Sequence, residues 1–265
     1  METNVIYNED CIGEKGMCRL PDNSIDMILA DLPYGTTQNK WDSVIPLDKL
    51  WKQYKRVIKE NGAIVLTASS NFTPKLKMSN LSWFRYEWIW EKDRASGFLN
   101  ANRMPLRAHE NIVVFYKKMP TYNPQKTKGH KPSNRNGIKH KDTTNYRNFE
   151  HKIKGGQTDR YPRSVIKFNV VNTQSAEGYL HPTQKPVDLF EYLIKTYTNK
   201  NEIVLDNVMG SGTTAIACLK TDRKFIGFER EVEYYNIALK RIGKFDKSYY
   251  DELPEEEKPK QKQLF

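Results

Sequence analysis

The segment 202–220, EIVLDNVMGSGTTAIACLK, reads as a short strand, a glycine turn and the opening of a helix. Gly210 and Gly212 permit a tight turn and a close backbone approach to a ligand, and the helix after them presents free N–H groups. Such a unit belongs to an open α/β sheet. Here it lies late in the chain, with one strand at 224–228 and one helix at 231–242 before a charged tail. The other strands of the sheet must therefore come from the first half of the chain.

Several ligands suit such a turn. Gly210, Gly212 and Ala215 match the dinucleotide spacing, with Glu229 about twenty residues on. A P-loop would need a Lys before the Ser/Thr pair, and none stands there. A nicotinamide cofactor stays open on the turn alone. Asp206 favours an adenosyl-sulfonium cofactor, since a carboxylate at the strand end repels a pyrophosphate but attracts an ammonium or sulfonium. Glu229 would then take ribose hydroxyls. The bland alternative is a purely structural turn.

The first half alternates strand and helix patterns. Strands are expected at 4–7 and 25–30, and a helix at 47–60 closed by Asn61-Gly62. A strand at 63–68, a helix near 72–80 and strands near 84–91 and 111–117 follow. Short apolar runs separated by helices predict a mostly parallel sheet covered on both faces. Between 118 and 165 the apolar periodicity disappears, which marks an insertion outside the sheet. It returns with a helix at 186–197 and the glycine-turn unit.

Net charge locates a second function. Residues 117–167 carry 14 Lys and Arg against 3 Asp and Glu, while the rest of the chain carries 29 of each sign. A neutral body with one basic attachment is the pattern of phosphate-backbone binding; a solvated, disordered loop is the bland reading. Cys11, Cys18 and Cys218 lack paired spacing and read as reduced thiols. No metal site is expected from the histidines. No run of about 18 apolar residues appears, so a cytoplasmic protein with no membrane association is expected.

Strand 25–30 runs into Asp31-Leu32-Pro33-Tyr34-Gly35. Residues past a strand end in an open α/β sheet lie at the ligand crevice, and Pro33 biases Leu32 towards extended backbone. A carboxylate, a carbonyl and an aromatic face within four residues suit a planar base bearing an amino group. An ordinary Pro turn capped by Asp31 accounts for the same residues equally well.

Asp31-Leu32-Pro33-Tyr34 resembles the Asp-Pro-Pro-Tyr type signature of the DNA amino-methyltransferases that modify adenine N6 or cytosine N4. Leu205–Thr214 is similar to their cofactor motif, and His181-Pro182-Thr183-Gln184-Lys185-Pro186 to the motif before it. Asn8–Cys11 resembles their N-terminal segment, and His109–Phe115 the strand lining their target-base pocket. The motif order is that of the β group. Three positions depart from the pattern: Leu32 for the first Pro of the catalytic motif, and Asn207 and Val208 for Pro and Phe of the cofactor motif.

The resemblance implies a Rossmann-like S-adenosylmethionine-dependent methyltransferase fold of the α/β class, circularly permuted in motif order, with a basic target-recognition insert. Residues 1–117 would form the catalytic half, 118–165 the insert, 166–243 the cofactor-binding half and 244–265 a charged tail. The implied reaction moves a methyl group from S-adenosylmethionine to N6 of an adenine flipped out of double-stranded DNA. Asp rather than Ser at position 31 favours adenine. Cytosine N4, adenine in RNA, a protein glutamine amide, or DNA binding by a degenerate fold are the alternatives.

Catalysis would fall to Asp31, the Leu32 carbonyl, Pro33 and Tyr34. The cofactor would be held by Asp10, Cys11, Asp31, Pro182, Thr183, Lys185, Asp206, Asn207, Val208, Gly210, Gly212, Thr213 and Glu229. Tyr34, Trp41 and Phe115 would wall the base pocket. On the insert, DNA would meet Lys126, Lys128, Lys131, Arg135, Lys139, Lys141, Arg147, Lys152, Lys154, Arg160 and Arg163. The resemblance also allows a homodimer and leaves a restriction partner open.

Overall fold

The computed structural model describes residues 1–36, 42–132, 155–175, 178, 180, 183–246 and 248, with backbone alone at 139–140 and 149–150. It divides into two compact units, Met1–Asn123 with Ser164–Phe265, and Pro124–Arg163.

In the first unit β1 (Val5–Tyr7) and β2 (Ile25–Ala30) precede α1 (Leu47–Val57), β3 (Ile58–Ala68) and α2 (Phe72–Ser79). A long hairpin of β4 (Phe84–Ser96) and β5 (Arg107–Phe115) follows. The second unit contributes β6 (Lys139–His140) and β7 (Phe149–Glu150), which pair antiparallel. The first unit resumes with β8 (Val165–Phe168), α3 (Val187–Tyr197), β9 (Ile203–Asp206), α4 (Thr213–Lys220), β10 (Lys224–Phe228) and α5 (Val232–Phe245).

The 8-stranded sheet has the order β1-β10-β9-β2-β3-β5-β4-β8. Parallel pairings join β1, β10, β9, β2 and β3. The late strands β9 and β10 thus slot between the early β1 and β2, which is the permuted arrangement expected from the late glycine turn. β5 runs antiparallel to both β3 and β4, and β8 pairs parallel with β4.

Strand parity explains the uninterrupted apolar runs. Successive side chains point to opposite faces: Met27, Leu29, Val65, Ile112 and Val114 join the core under α3, α4 and α5. Ile28, Ala30, Ile64, Val113 and Phe115 join the core under α1 and α2. Both faces are covered, so no polar alternation survives in β2, β3 or β9.

The helix expected at 47–60 ends at Val57, and Ile58 already belongs to β3. Ile58 fits the helical spacing, but its pairing with Ile25 claims it. The β2–β3 register then skips from Ile25↔Ile58 to Met27↔Ala63. Asn61-Gly62 falls in that irregularity and does not cap a helix. A side chain at Gly62 would put its Cβ 2.8 Å from the Asp26 carbonyl. β8 carries no signal in the sequence reading, being four residues of alternating exposure.

In the second unit, Thr127 and Arg160 form an antiparallel bridge, and His130 N donates to Thr158 O. Lys126 pairs with Asp159 at 2.9 Å and lies 4.5 Å over the Tyr161 ring. Arg160 donates to the carbonyls of Gln157, Asp159 and Lys131.

Candidate active site

Because β2, β3, β9 and β10 are parallel, their C-terminal ends share one sheet edge, and β4 points the same way. Asp31 follows β2, Asp206 ends β9 and Glu229 follows β10. A cavity of about 400 Å³ opens there. Its wall includes Asp10, Cys11, Asp206–Met209, Gly210, Ser211, Thr213 and Glu229, together with Asp31–Tyr34, Trp90, Lys92, Ser96 and Glu110. The two turns picked from the sequence therefore face one space.

Asp31 is held through both oxygens. Oδ1 accepts from the hydroxyls of Tyr34, at 2.8 Å, and Thr67. Oδ2 accepts from Lys185 Nζ at 2.6 Å. Lys185 lies 3.4 Å from Glu110 Oε2, and Lys92 pairs with Glu110 Oε1 at 2.5 Å. Two carboxylates and two ammoniums thus alternate in a largely shielded row, with Lys185 buried and each ion facing an opposite charge. Burial alone would lower the Lys185 ammonium, but Asp31 and Glu110 carry its pKa above the usual range. Burial would raise Glu110, yet Lys185 and Lys92 hold it below the ordinary carboxylate value. Burial, then the Asp31 and Glu110 charges, push the Tyr34 phenol well up, so it remains a donor. The Tyr34 ring stacks on Phe72 with centroids 5.2 Å apart.

On the other side, the buried Asp206 accepts from Val208 N at 3.0 Å and from the Thr214 hydroxyl. Burial raises its pKa to about 7. Glu229 accepts Gly210 N–H at 2.8 Å and Glu231 N–H at 2.9 Å, and burial raises its pKa as well. Gly210 takes φ +54°. Asp10 accepts Ile12 N–H at 3.0 Å. Asn207, where the resemblance has Pro, accepts from Tyr54 Oη at 2.5 Å and donates to Cys11 Sγ at 3.3 Å. Burial raises the Cys11 thiol to about 11, which leaves it an inert wall atom.

Several expectations change. Phe115 is no pocket wall: it is fully buried, edge-on to Trp51 and Phe84. Since β5 is antiparallel, Phe115 pairs with Ile64 and Phe84, at the end of the sheet away from the cavity. The aromatic that faces the cavity from this hairpin is Trp90. Gly212 does not line the cavity. Its φ is +84°, and a Cβ there would lie 3.1 Å from Ala238 Cβ, so it serves the packing of α5. Thr183 and Lys185 line the cavity as expected of cofactor contacts, and the Lys185 ammonium also meets Asp31 and Glu110. Lys126 and Arg160 are engaged within their own unit, while Lys128, Lys131 and Arg163 are exposed. Trp41, Pro182, Arg135, Lys141, Arg147, Lys152 and Lys154 lie outside the described residues, as does the side chain of Lys139.

Asp42 and Arg241 belong to no motif but brace the two turns. Asp42 accepts Gly35 N–H at 2.8 Å and Thr36 N–H at 2.9 Å, pinning the chain after the Asp31 turn. Arg241 of α5 is buried and donates to Thr213 Oγ1 at 3.0 Å and Ser211 O at 3.2 Å, bracing the glycine turn. Among the described residues, no group of three or more His, Cys, Asp or Glu could hold a metal, and no helix is long and apolar enough to cross a membrane.

A sheet edge carrying an acidic turn opposite a glycine turn defines a nucleotide-cofactor enzyme, and the comparisons specify which. The chain belongs to the N6/N4 DNA methylase family, whose model matches residues 25–240. It is a DNA methyltransferase of the restriction–modification type, with S-adenosylmethionine as methyl donor. The type II methyltransferase M.BglII of Bacillus subtilis is 29% identical over 271 residues, covering 91% of this chain and 69% of that protein. The M1.HpyAVI–SAM complex matches at 26% identity and TM-score 0.60, covering 89% of this chain and 98% of that one. PvuII DNA methyltransferase (cytosine-N4-specific) shares the fold at TM-score 0.65 and 15% identity, covering 95% of this chain and 92% of that one.

Proposed function

We propose that this chain methylates the N6 amino group of adenine in double-stranded DNA, acting on a base flipped into the cavity. The observation that carries this reading is that Asp31 and the 206–214 turn line one cavity. The donor set suits the cofactor: the Asp206 carboxylate for its cationic end, the Glu229 carboxylate for ribose hydroxyls, and a partly apolar wall. Bound there, S-adenosylmethionine supplies an electrophilic methyl carried on a sulfonium.

The protein's part is to position and to accept charge. The amino lone pair of adenine is delocalised into the ring, so the nitrogen must be made pyramidal. Asp31 and the Leu32 carbonyl accept its two N–H bonds and aim the lone pair at the methyl. The bound donor would supply the methyl and leave as a neutral thioether, and the amino nitrogen would release one proton to water. Lys185 and Thr67 fix the Asp31 carboxylate against rotation. Tyr34 contributes its ring to the base pocket. The amino group is out of reach inside a duplex, which requires flipping. Lys128, Lys131 and Arg163 are exposed cations suited to phosphates.

Nucleoside analysis of DNA after reaction with labelled S-adenosylmethionine tests the choice of base. Label in N6-methyladenine supports the proposal, and label confined to N4-methylcytosine would replace adenine by cytosine.

A further inference from the structure

The β4–β5 hairpin leaves the sheet at the edge where the cavity opens. Lys92 and Ser96 line the cavity from β4, and Glu110 lines it from β5. Between Ser96 and Arg107 the chain forms an ordered tip. Gly97 takes φ +91°, Phe98–Asn100 wind a 3₁₀ turn, and Asn100 O accepts both Arg103 N–H at 2.8 Å and Met104 N–H at 3.0 Å. That hydrogen-bonded tip leaves Phe98 80% and Leu99 98% exposed, with Met104 exposed beside them.

Large apolar side chains displayed on a structured turn mark a contact surface. Arg94, Arg103 and Arg107 flank them along the hairpin, all exposed. The one acid in 93–109, Asp93, accepts Val170 N–H at 2.7 Å and lies 3.8 Å from Arg94 Nε, a loose exposed pair that phosphate can replace. Cations around an apolar point match a polyanion with an apolar interior, which describes a base-stacked duplex. From Ser96 to Phe98 is two residues, at most about 7 Å of chain. The tip therefore stands next to the cavity wall.

We propose that Phe98 and Leu99 are a wedge that enters the DNA stack and fills the space left by the target base, with Arg94, Arg103 and Arg107 on the flanking phosphates. An extruded base leaves its neighbours without stacking partners, and apolar side chains restore part of that contact. The wedge rests on the reading above that the base is flipped.

The test uses the full chain and a synthetic duplex bearing a site that the wild type methylates in unmethylated bacterial DNA. A second duplex carries an abasic residue opposite the target, where extrusion is easier. For Phe98→Ala with Leu99→Ala, kcat/KM on the matched duplex falls about ten- to hundredfold. The abasic duplex restores it to within a few-fold of wild type, with cofactor binding and Tm unchanged. Equal loss on both duplexes, or loss on neither, overturns the wedge. So does a variant that sediments at half the wild-type mass, since the tip would then be an interface between copies. 2-Aminopurine at the target position separates the two readings. If wild type leaves it quenched, flipping itself fails and the wedge with it. A bright wild type with a fully active variant overturns the wedge alone.

Discussion

Lys185 Nζ lies 2.6 Å from Asp31 Oδ2, which ties the segment before α3 to the turn after β2. Lys185 is buried and Asp31 half-buried, and the pair continues through Glu110 to Lys92. Breaking a buried pair from one side leaves an uncompensated charge, at about 3–5 kcal/mol. Lys185→Met therefore lowers Tm and, by loosening Asp31, lowers kcat about a hundredfold, while KM for S-adenosylmethionine stays within a few-fold. Steady-state kinetics decide it. A variant impaired only in cofactor KM would make cofactor contact, and not the hold on Asp31, the role of Lys185.

The pH dependence of cofactor binding follows from Asp206. Its carboxyl has a pKa of about 7 in the folded protein, raised by burial, and must be ionised to face a cation. Below that value binding has to release a proton, so affinity climbs up to about tenfold per pH unit and then levels off above it. Glu229 is shifted in the same direction. Calorimetry from pH 5.5 to 8.5, in buffers of different ionisation enthalpy, follows the proton. Affinity that is flat across this range, or equally pH-dependent in Asp206→Asn, contradicts the assignment.

Gly212→Ala places a Cβ at φ +84° and 3.1 Å from Ala238 Cβ. The backbone strain amounts to about 1–3 kcal/mol, read as a lower denaturant midpoint at unchanged m-value. Adding Ala238→Gly removes the Cβ contact but leaves the backbone Cα of residue 238 at 3.2 Å and the dihedral unchanged, so recovery is partial. Full recovery would show that packing alone fixes glycine there.

Tyr54 and Asn207 are coupled across the core. Tyr54→Phe leaves the Asn207 carbonyl oxygen buried without its donor, a loss of about 1–3 kcal/mol. Combined with Asn207→Ala, the two losses fall short of adding by about 0.5–3 kcal/mol. Additive values in a double-mutant cycle would mean that Asn207 stands at the family's Pro position for another reason.

Much of this molecule could be read from its sequence. β2, β9 and β10 announced themselves because strands buried on both faces are unbroken apolar runs, and Asp31, Asp206 and Glu229 follow from where those runs end. What escaped depends on contacts between distant segments. Ile58 suits a helix face and a strand equally until Ile25 pairs with it. Phe115 looked like a pocket wall because the direction of β5 cannot be known from its own residues. Once antiparallel, it puts Glu110 at the cavity and Phe115 at the far end. Lys185 lies in a motif legible as cofactor-binding, but its partners Asp31 and Glu110 stand in other segments. Asp42 and Arg241 carry no motif, and only the loop and turn that they brace give them a role.

The most direct test of the central claim is single-turnover methyl transfer at saturating S-adenosylmethionine to unmethylated bacterial DNA, comparing wild type with Asp31→Ala and identifying the labelled nucleoside. Wild type is expected to yield N6-methyladenine and the variant at least about a hundredfold slower transfer, with the cofactor still bound. Transfer by Asp31→Ala at the wild-type rate would contradict that claim.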